Sequence, residues 1–142
     1  MAIYFTNHQN SYVLKNKRKI SNWIKKVIKS YGKELGSVTI IFSNDDFILE
    51  INKQYLKHNY FTDIITFDYS QGRTVDGDIF ISLDTVLDNS KTYNSSFDCE
   101  LLRVIIHGIL HLLGFKDKKD FDKTIMTEKE NKCLELFYTE YE

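Results

Sequence analysis

Proline is absent from all 142 residues, and glycine occurs only six times. With so little of either residue, the chain has no Pro-rich or Gly-rich linker, no collagen-like repeat and no low-complexity segment. Cysteine is equally scarce. Cys99 and Cys133 stand alone, without a CxxC pair, so a disulfide framework is excluded. No apolar run approaches the ~18 residues of a membrane span, and Val104-Ile105-Ile106 is interrupted by His107. The first residues lack the basic-then-apolar pattern of a signal peptide, so a reducing, cytoplasmic setting is expected. Acidic residues are missing from positions 1–33, where Lys15, Lys17, Arg18, Lys19, Lys25, Lys26, Lys29 and Lys33 give a charge of +8. The remaining 109 residues hold 11 basic and 20 acidic side chains, a charge of −9, although the whole chain is only −1. Such an asymmetry fits either a polyanionic partner at the basic end or a solvated, lysine-rich helix face.

What is present is the composition of a globular protein: 42% hydrophobic, 14% aromatic and 27% charged residues. A chain of this length is expected to form one domain over residues 1–142. Residues 2–6 alternate as a strand. Ile20, Trp23, Ile24, Val27, Ile28 and Tyr31 then recur at helical spacing, and Gly32 supplies a stop. Val38–Phe42 is β-branched and aromatic and reads as a strand. Ser43 with Asp46 resembles a capping signal for a short helix facing inward with Phe47, Ile48, Ile51 and Tyr55. Strands are expected at Asp63–Tyr69 and Asp78–Ser82 around a Gln71-Gly72-Arg73 turn. Helices should cover Leu83–Thr92, the stretch after Ser95/Ser96 to Leu113, and a last segment starting at Thr127-x-x-Glu130, which reads as a capping box and buries Cys133, Leu134 and Phe137. The expected fold class is α+β: a small mixed sheet of about four strands packed with helices, the histidine-bearing helix buried.

The chemistry is concentrated between Leu101 and Asp117. His107 and His111, two of four histidines, sit four residues apart on a helix that is apolar on nearly every face. Residues at i and i+4 share a helical face, so their imidazoles can chelate one ion at ~2.0–2.1 Å from each nitrogen. Gly114 lets the chain turn back, and Asp117 can then offer a carboxylate oxygen as third ligand. Zn²⁺ is the expected ion, with a fourth position left for water. The pattern H-x-x-x-H-x-x-G-x-x-D is similar in geometry to the long zinc-protease signature. The glutamate that such a protease needs directly after its first histidine is here Gly108, which argues against peptide hydrolysis. The competing reading is that both histidines are core residues satisfied by backbone carbonyls.

His107-Gly108-x-Leu110-His111-Leu112-x-Gly114-Phe115 resembles the signature of the YbeY endoribonucleases, or rRNA maturation factors. Asn52-x-x-Tyr55 followed by Thr62-Asp63-Ile64-Ile65-Thr66-Phe67 is similar to a second block of that family. Gly77-Asp78-Ile79-Phe80-Ile81-Ser82 resembles a third, and Glu100 matches a family glutamate upstream of the histidines. Order and spacing fit over about residues 35–140. Two departures stand out: Asp117 replaces the family's usual third histidine, and Leu56 replaces an arginine after N-x-x-Y.

The resemblance implies a metal-dependent endoribonuclease specific for single-stranded RNA, acting in ribosomal RNA maturation and ribosome quality control. His107, His111 and Asp117 would act through the bound metal. Lys57 and His58 could take over part of the missing arginine's phosphate contact, without its bidentate fork. Lys25, Lys26 and Lys29, with Lys116, could track the phosphate backbone, and Tyr55, Tyr60 and Phe61 could stack bases. Two alternatives stay open: a ribosome-associated RNA-binding factor whose metal is structural, and a metal-dependent hydrolase of another substrate.

Overall fold

The computed structural model describes residues 2–56 and 64–140. Its elements are β1 (Ala2–Asn7), α1 (Lys17–Ser30), β2 (Glu34–Ser43), α2 (Asp45–Ile51) running into a π-helical turn (Asn52–Leu56), β3 (Ile64–Asp68), β4 (Thr74–Ser82), α3 (Leu83–Thr92), α4 (Phe97–Leu112) and α5 (Asp120–Glu140). The four strands form one sheet in the order β1-β2-β4-β3. β1, β2 and β4 are parallel, and β3 is antiparallel to β4 across the Gln71–Thr74 hairpin.

Alternation along the strands sorts side chains onto two faces. Val38, Ile40 and Phe42 of β2 and Val75, Ile79 and Ile81 of β4 enter the main core beneath α1, α4 and α5. Ile65, Phe67 and Phe80 face the other way, onto Phe47, Ile48 and Ile51 of α2. α4 is the central helix. It carries ten buried residues and packs against α1, α3, α5, β3 and β4, which is why its sequence is apolar almost all round. On α1, Trp23 is fully buried, donates its indole N–H to the Cys133 carbonyl at 2.8 Å, and meets Phe137 edge-on.

Two expected boundaries are corrected. Ser43 is not a cap: it ends β2, and its hydroxyl donates to the Ile81 carbonyl. The cap is Asn44, whose side chain accepts from the Phe47 N–H at 2.9 Å. The last helix starts at Asp120, a full seven residues before Thr127, with Asp120 and Asp122 in its first turn, where carboxylates favour the helix dipole. Thr127-x-x-Glu130 therefore lies inside α5 and is no capping box. The side chains of Tyr55 and Leu56, and residues Lys57, His58, Tyr60, Phe61, Thr62 and Asp63, lie outside the described residues. No helix among the described residues is long and apolar enough to cross a membrane.

Candidate metal centre

The three expected ligands meet at the C-terminal end of α4. Gly114 adopts φ +105°, a conformation that side chains rarely tolerate, and α4 closes there in a Schellman turn. The Gly114 N–H donates to the His111 carbonyl and the Phe115 N–H to the Leu110 carbonyl, each at 3.0 Å. The turn carries the chain back along the helix end, and Asp117 reaches the histidines. Asp117 Oδ2 lies 3.1 Å from His107 Nε2 and 3.3 Å from His111 Nε2, and the two Nε2 atoms are 2.9 Å apart. The side chains are 19%, 22% and 38% exposed in chain order, so the cluster opens to solvent although the helix is buried.

Hydrogen-bond partners settle the tautomers. His111 Nδ1 faces the Phe115 carbonyl at 3.0 Å, and a carbonyl only accepts, so Nδ1 carries the proton. His107 Nδ1 faces the Glu130 carboxylate at 2.6 Å, again an acceptor. Both Nε2 atoms then face each other and Asp117 Oδ2. Three electron-pair donors converge, with one ligand atom from each residue lying within 4.8 Å of the others. A tetrahedral ion with bonds of ~2.0–2.1 Å holds its ligand atoms about 3.3–3.4 Å apart, close to the spacings seen. The donor set fits a divalent transition metal, and these three residues could hold one. The competing reading holds for one ring only: His111 meets a backbone carbonyl, whereas His107 meets a carboxylate. Each ring has its own protein partner, but on the nitrogen facing away from the cluster.

Gly108 packs its bare backbone onto the sheet. A Cβ there would stand 2.8 Å from Ile64 Cδ1 and 2.9 Å from Ile79 Cγ2, so the place of the protease glutamate points into the core and not toward the cluster. The Gly77–Ser82 block is in β4 and Ile64–Phe67 in β3, so the motif blocks form the hairpin on which the histidine helix rests. Glu100 lies in the first turn of α4 and is buried.

Lys25, Lys26 and Lys29 are exposed on α1. The C-terminal end of α1 reaches the ligand loop through Tyr31, edge-on to Phe115 with ring centroids 5.4 Å apart. Lys116 is exposed beside Asp117. Two residues beside the cluster were not expected there: Glu130 on α5, read from the sequence as part of a capping box, and Arg103, whose Nη1 donates to Glu130 Oε1 at 2.8 Å. A signal for Glu130 exists in the sequence. Met126, Cys133, Leu134 and Phe137 form a buried stripe on α5, and Glu130 is the one carboxylate on it.

A small α+β fold that brings two helical histidines and a carboxylate from the following turn to one point defines a protein with a candidate His₂-carboxylate metal site. The family model described as Endoribonuclease YbeY matches residues 4–138. The chain belongs to the endoribonuclease YbeY family. Endoribonuclease YbeY of Bacteroides thetaiotaomicron is 55% identical over 120 residues, covering 84% of this chain and 88% of that protein. The protein of the same name from Azobacteroides pseudotrichonymphae is 47% identical over 135 residues, covering 95% and 97%. Among solved structures, the solution structure of TM1509 from Thermotoga maritima matches with a TM-score of 0.66 and 27% identity, over 98% of this chain and 91% of that one.

Proposed function

We propose that this protein is a metal-dependent endoribonuclease that cuts single-stranded RNA in the cytoplasm, in ribosomal RNA maturation and ribosome quality control. Residues 1–142 act as a single hydrolase domain, and His107, His111 and Asp117 hold one divalent ion, Zn²⁺ by preference. The observation that carries this reading is the convergence of three candidate ligand atoms within 3.3 Å of one another at an opening in the surface. Family membership supplies the substrate class. When bound, such an ion supplies Lewis acidity toward a phosphoryl oxygen and an acidified water. The chain's own residues aim the donors. Phe115 and Glu130 keep the Nδ1 protons of the two rings in place, and Gly108 leaves the face toward the sheet sealed. Lys25, Lys26, Lys29, Lys57 and His58 contact RNA phosphates, a role the +8 charge of residues 1–33 supports for the three on α1.

Asp117 in place of a histidine makes the donor set harder and adds a negative charge, which lowers the Lewis acidity of the ion. Leu56 in place of the family arginine favours a second reading, a ribosome-associated RNA-binding factor whose metal is structural. One experiment separates them: elemental analysis of protein never exposed to chelator, with cleavage of single-stranded and duplex RNA before and after chelation. Metal-dependent cutting of single strands supports the nuclease; RNA binding with metal but no cutting supports the factor; absence of metal refutes both.

A further inference from the structure

A second set of residues stands behind the cluster, on the opposite side of His107. There α3, α4 and α5 line an open pocket of about 770 Å³ whose wall includes Arg103, His107, Glu130 and Asn131. Glu130 is only 7% exposed. A carboxylate this buried is costly to keep charged unless it is paired, and it is paired twice. Arg103 Nη1 donates to one oxygen at 2.8 Å, and His107 Nδ1 meets the other at 2.6 Å. Arg103 is itself anchored, its Nη2 donating to Asn131 Oδ1 at 2.8 Å. Arg103, His107 and His111 are successive i+4 positions on α4, so they stand in a row along one face of the helix. Glu130 bridges the first two and Asp117 the last two. His107 therefore has a carboxylate on each ring nitrogen: one at the cluster, one behind it.

From this geometry we infer that Glu130, held by Arg103, is a positioning residue for the metal centre. It fixes the orientation of the His107 ring, keeps the proton on Nδ1 and so keeps the Nε2 lone pair aimed at the ion. The inference rests on the metal reading of the His107–His111–Asp117 cluster. A hydrogen bond as short as 2.6 Å to an ionised oxygen belongs to the strong, charge-assisted kind, and it also raises the ligand basicity of the imidazole. Arg103 shares the carboxylate and prevents it from swinging into the pocket. Losing a partner of this type weakens metal binding by about 10–100-fold in comparable sites.

The test uses the full chain, with Zn²⁺ affinity measured by competition against a chromophoric chelator and the visible spectrum recorded with Co²⁺ in its place. Wild type, Glu130→Gln, Glu130→Ala and, as control, Thr127→Ala one turn away on the wall of the same pocket are compared. Thermal midpoints of the metal-free proteins report on folding. Glu130→Ala is expected to bind Zn²⁺ about 10–100-fold more weakly. Glu130→Gln keeps an acceptor of the same reach and should fall in between, with at least a threefold loss and a shifted Co²⁺ spectrum at saturation. Thr127→Ala should stay within twofold of wild type. A merely structural role for Glu130 would lower the thermal midpoint and leave the spectrum of the loaded protein unchanged, which overturns the inference. Affinities of both Glu130 variants within twofold of wild type overturn it as well. If Glu130→Ala does not fold, Glu130→Gln decides alone by the same limits. Failure of the wild type to bind Zn²⁺ or Co²⁺ refutes the metal reading itself, and the positioning role with it.

Discussion

Replacing Gly108 with alanine sets two known effects against each other, and the structure says which wins. In an ordinary helix interior, glycine is about 1 kcal/mol less favourable than alanine, so Gly108→Ala alone would stabilise. Here the new Cβ would lie 2.8 Å from Ile64 Cδ1, 2.9 Å from Ile79 Cγ2 and 3.1 Å from Ile79 Cδ1. The Ile64 methyl can rotate away. Ile79 is fully buried and its Cγ2 branches directly from Cβ, so either that residue or α4 must shift. Overpacking of this kind costs about 1–3 kcal/mol, so the net expectation is a loss of roughly 0–2 kcal/mol. At about 2–4 °C per kcal/mol, that lowers the melting temperature by a few degrees. Gly108→Glu adds the burial of a carboxylate, worth several kcal/mol, against a total stability of ~5–15 kcal/mol; it should unfold the protein and create no peptidase. Urea titration with unchanged slope measures the difference. An alanine variant about 1 kcal/mol more stable than wild type would refute the reasoning, because it would show that α4 can lift from the sheet freely.

Asp117→Ala should lose most of the bound metal, whereas Asp120→Ala and Asp122→Ala, in the first turn of α5, should retain it; elemental analysis of the three proteins checks this. If α1 contacts phosphates, the affinity for single-stranded RNA should fall with salt at a slope of about −0.7 per contact, and neutralising Lys25, Lys26 and Lys29 together should flatten it. An unchanged slope would return these lysines to the solvated face. Burial raises the Cys133 thiol to about 11, with Glu130 adding to the effect. The unfolded thiol ionises first, near 9, so this contribution to stability is intact below about pH 9 and is lost as pH rises toward 11; denaturation curves across that window should show the decline. At pH 8 a thiol reagent should label exposed Cys99 and leave Cys133 untouched in the native protein.

The elements legible in the sequence were those whose own residues carry the signal. The period of Ile20, Trp23, Ile24, Val27 and Ile28 gives α1, and Ser96 marks the start of α4 through a side chain that does cap it. Where the reading failed, a nearby tertiary demand overrode the local pattern. Thr127 and Glu130 have the spacing of a capping box, but that motif relies on local bonds, and Glu130 is drawn off by Arg103 and His107 on another helix. Ser43 has the chemistry of a cap, yet it is the last residue of a strand paired with β4, and its hydroxyl is used there.

The same distinction runs through the site. His107, His111, Gly114 and Asp117 lie within 11 consecutive residues, so helix geometry and one glycine turn bring them together without help from the rest of the fold. Their tautomers could not be read so locally. The partner of His107 comes from 23 residues downstream, while the partner of His111 is a main-chain carbonyl that any residue could provide. Sequence identifies which residues can offer ligand atoms; tertiary packing decides which nitrogen of each ring is held by a partner outside the cluster. That is why Glu130, chemically the least expected member of an apolar stripe, is the residue through which α5 reaches His107 of the candidate metal site.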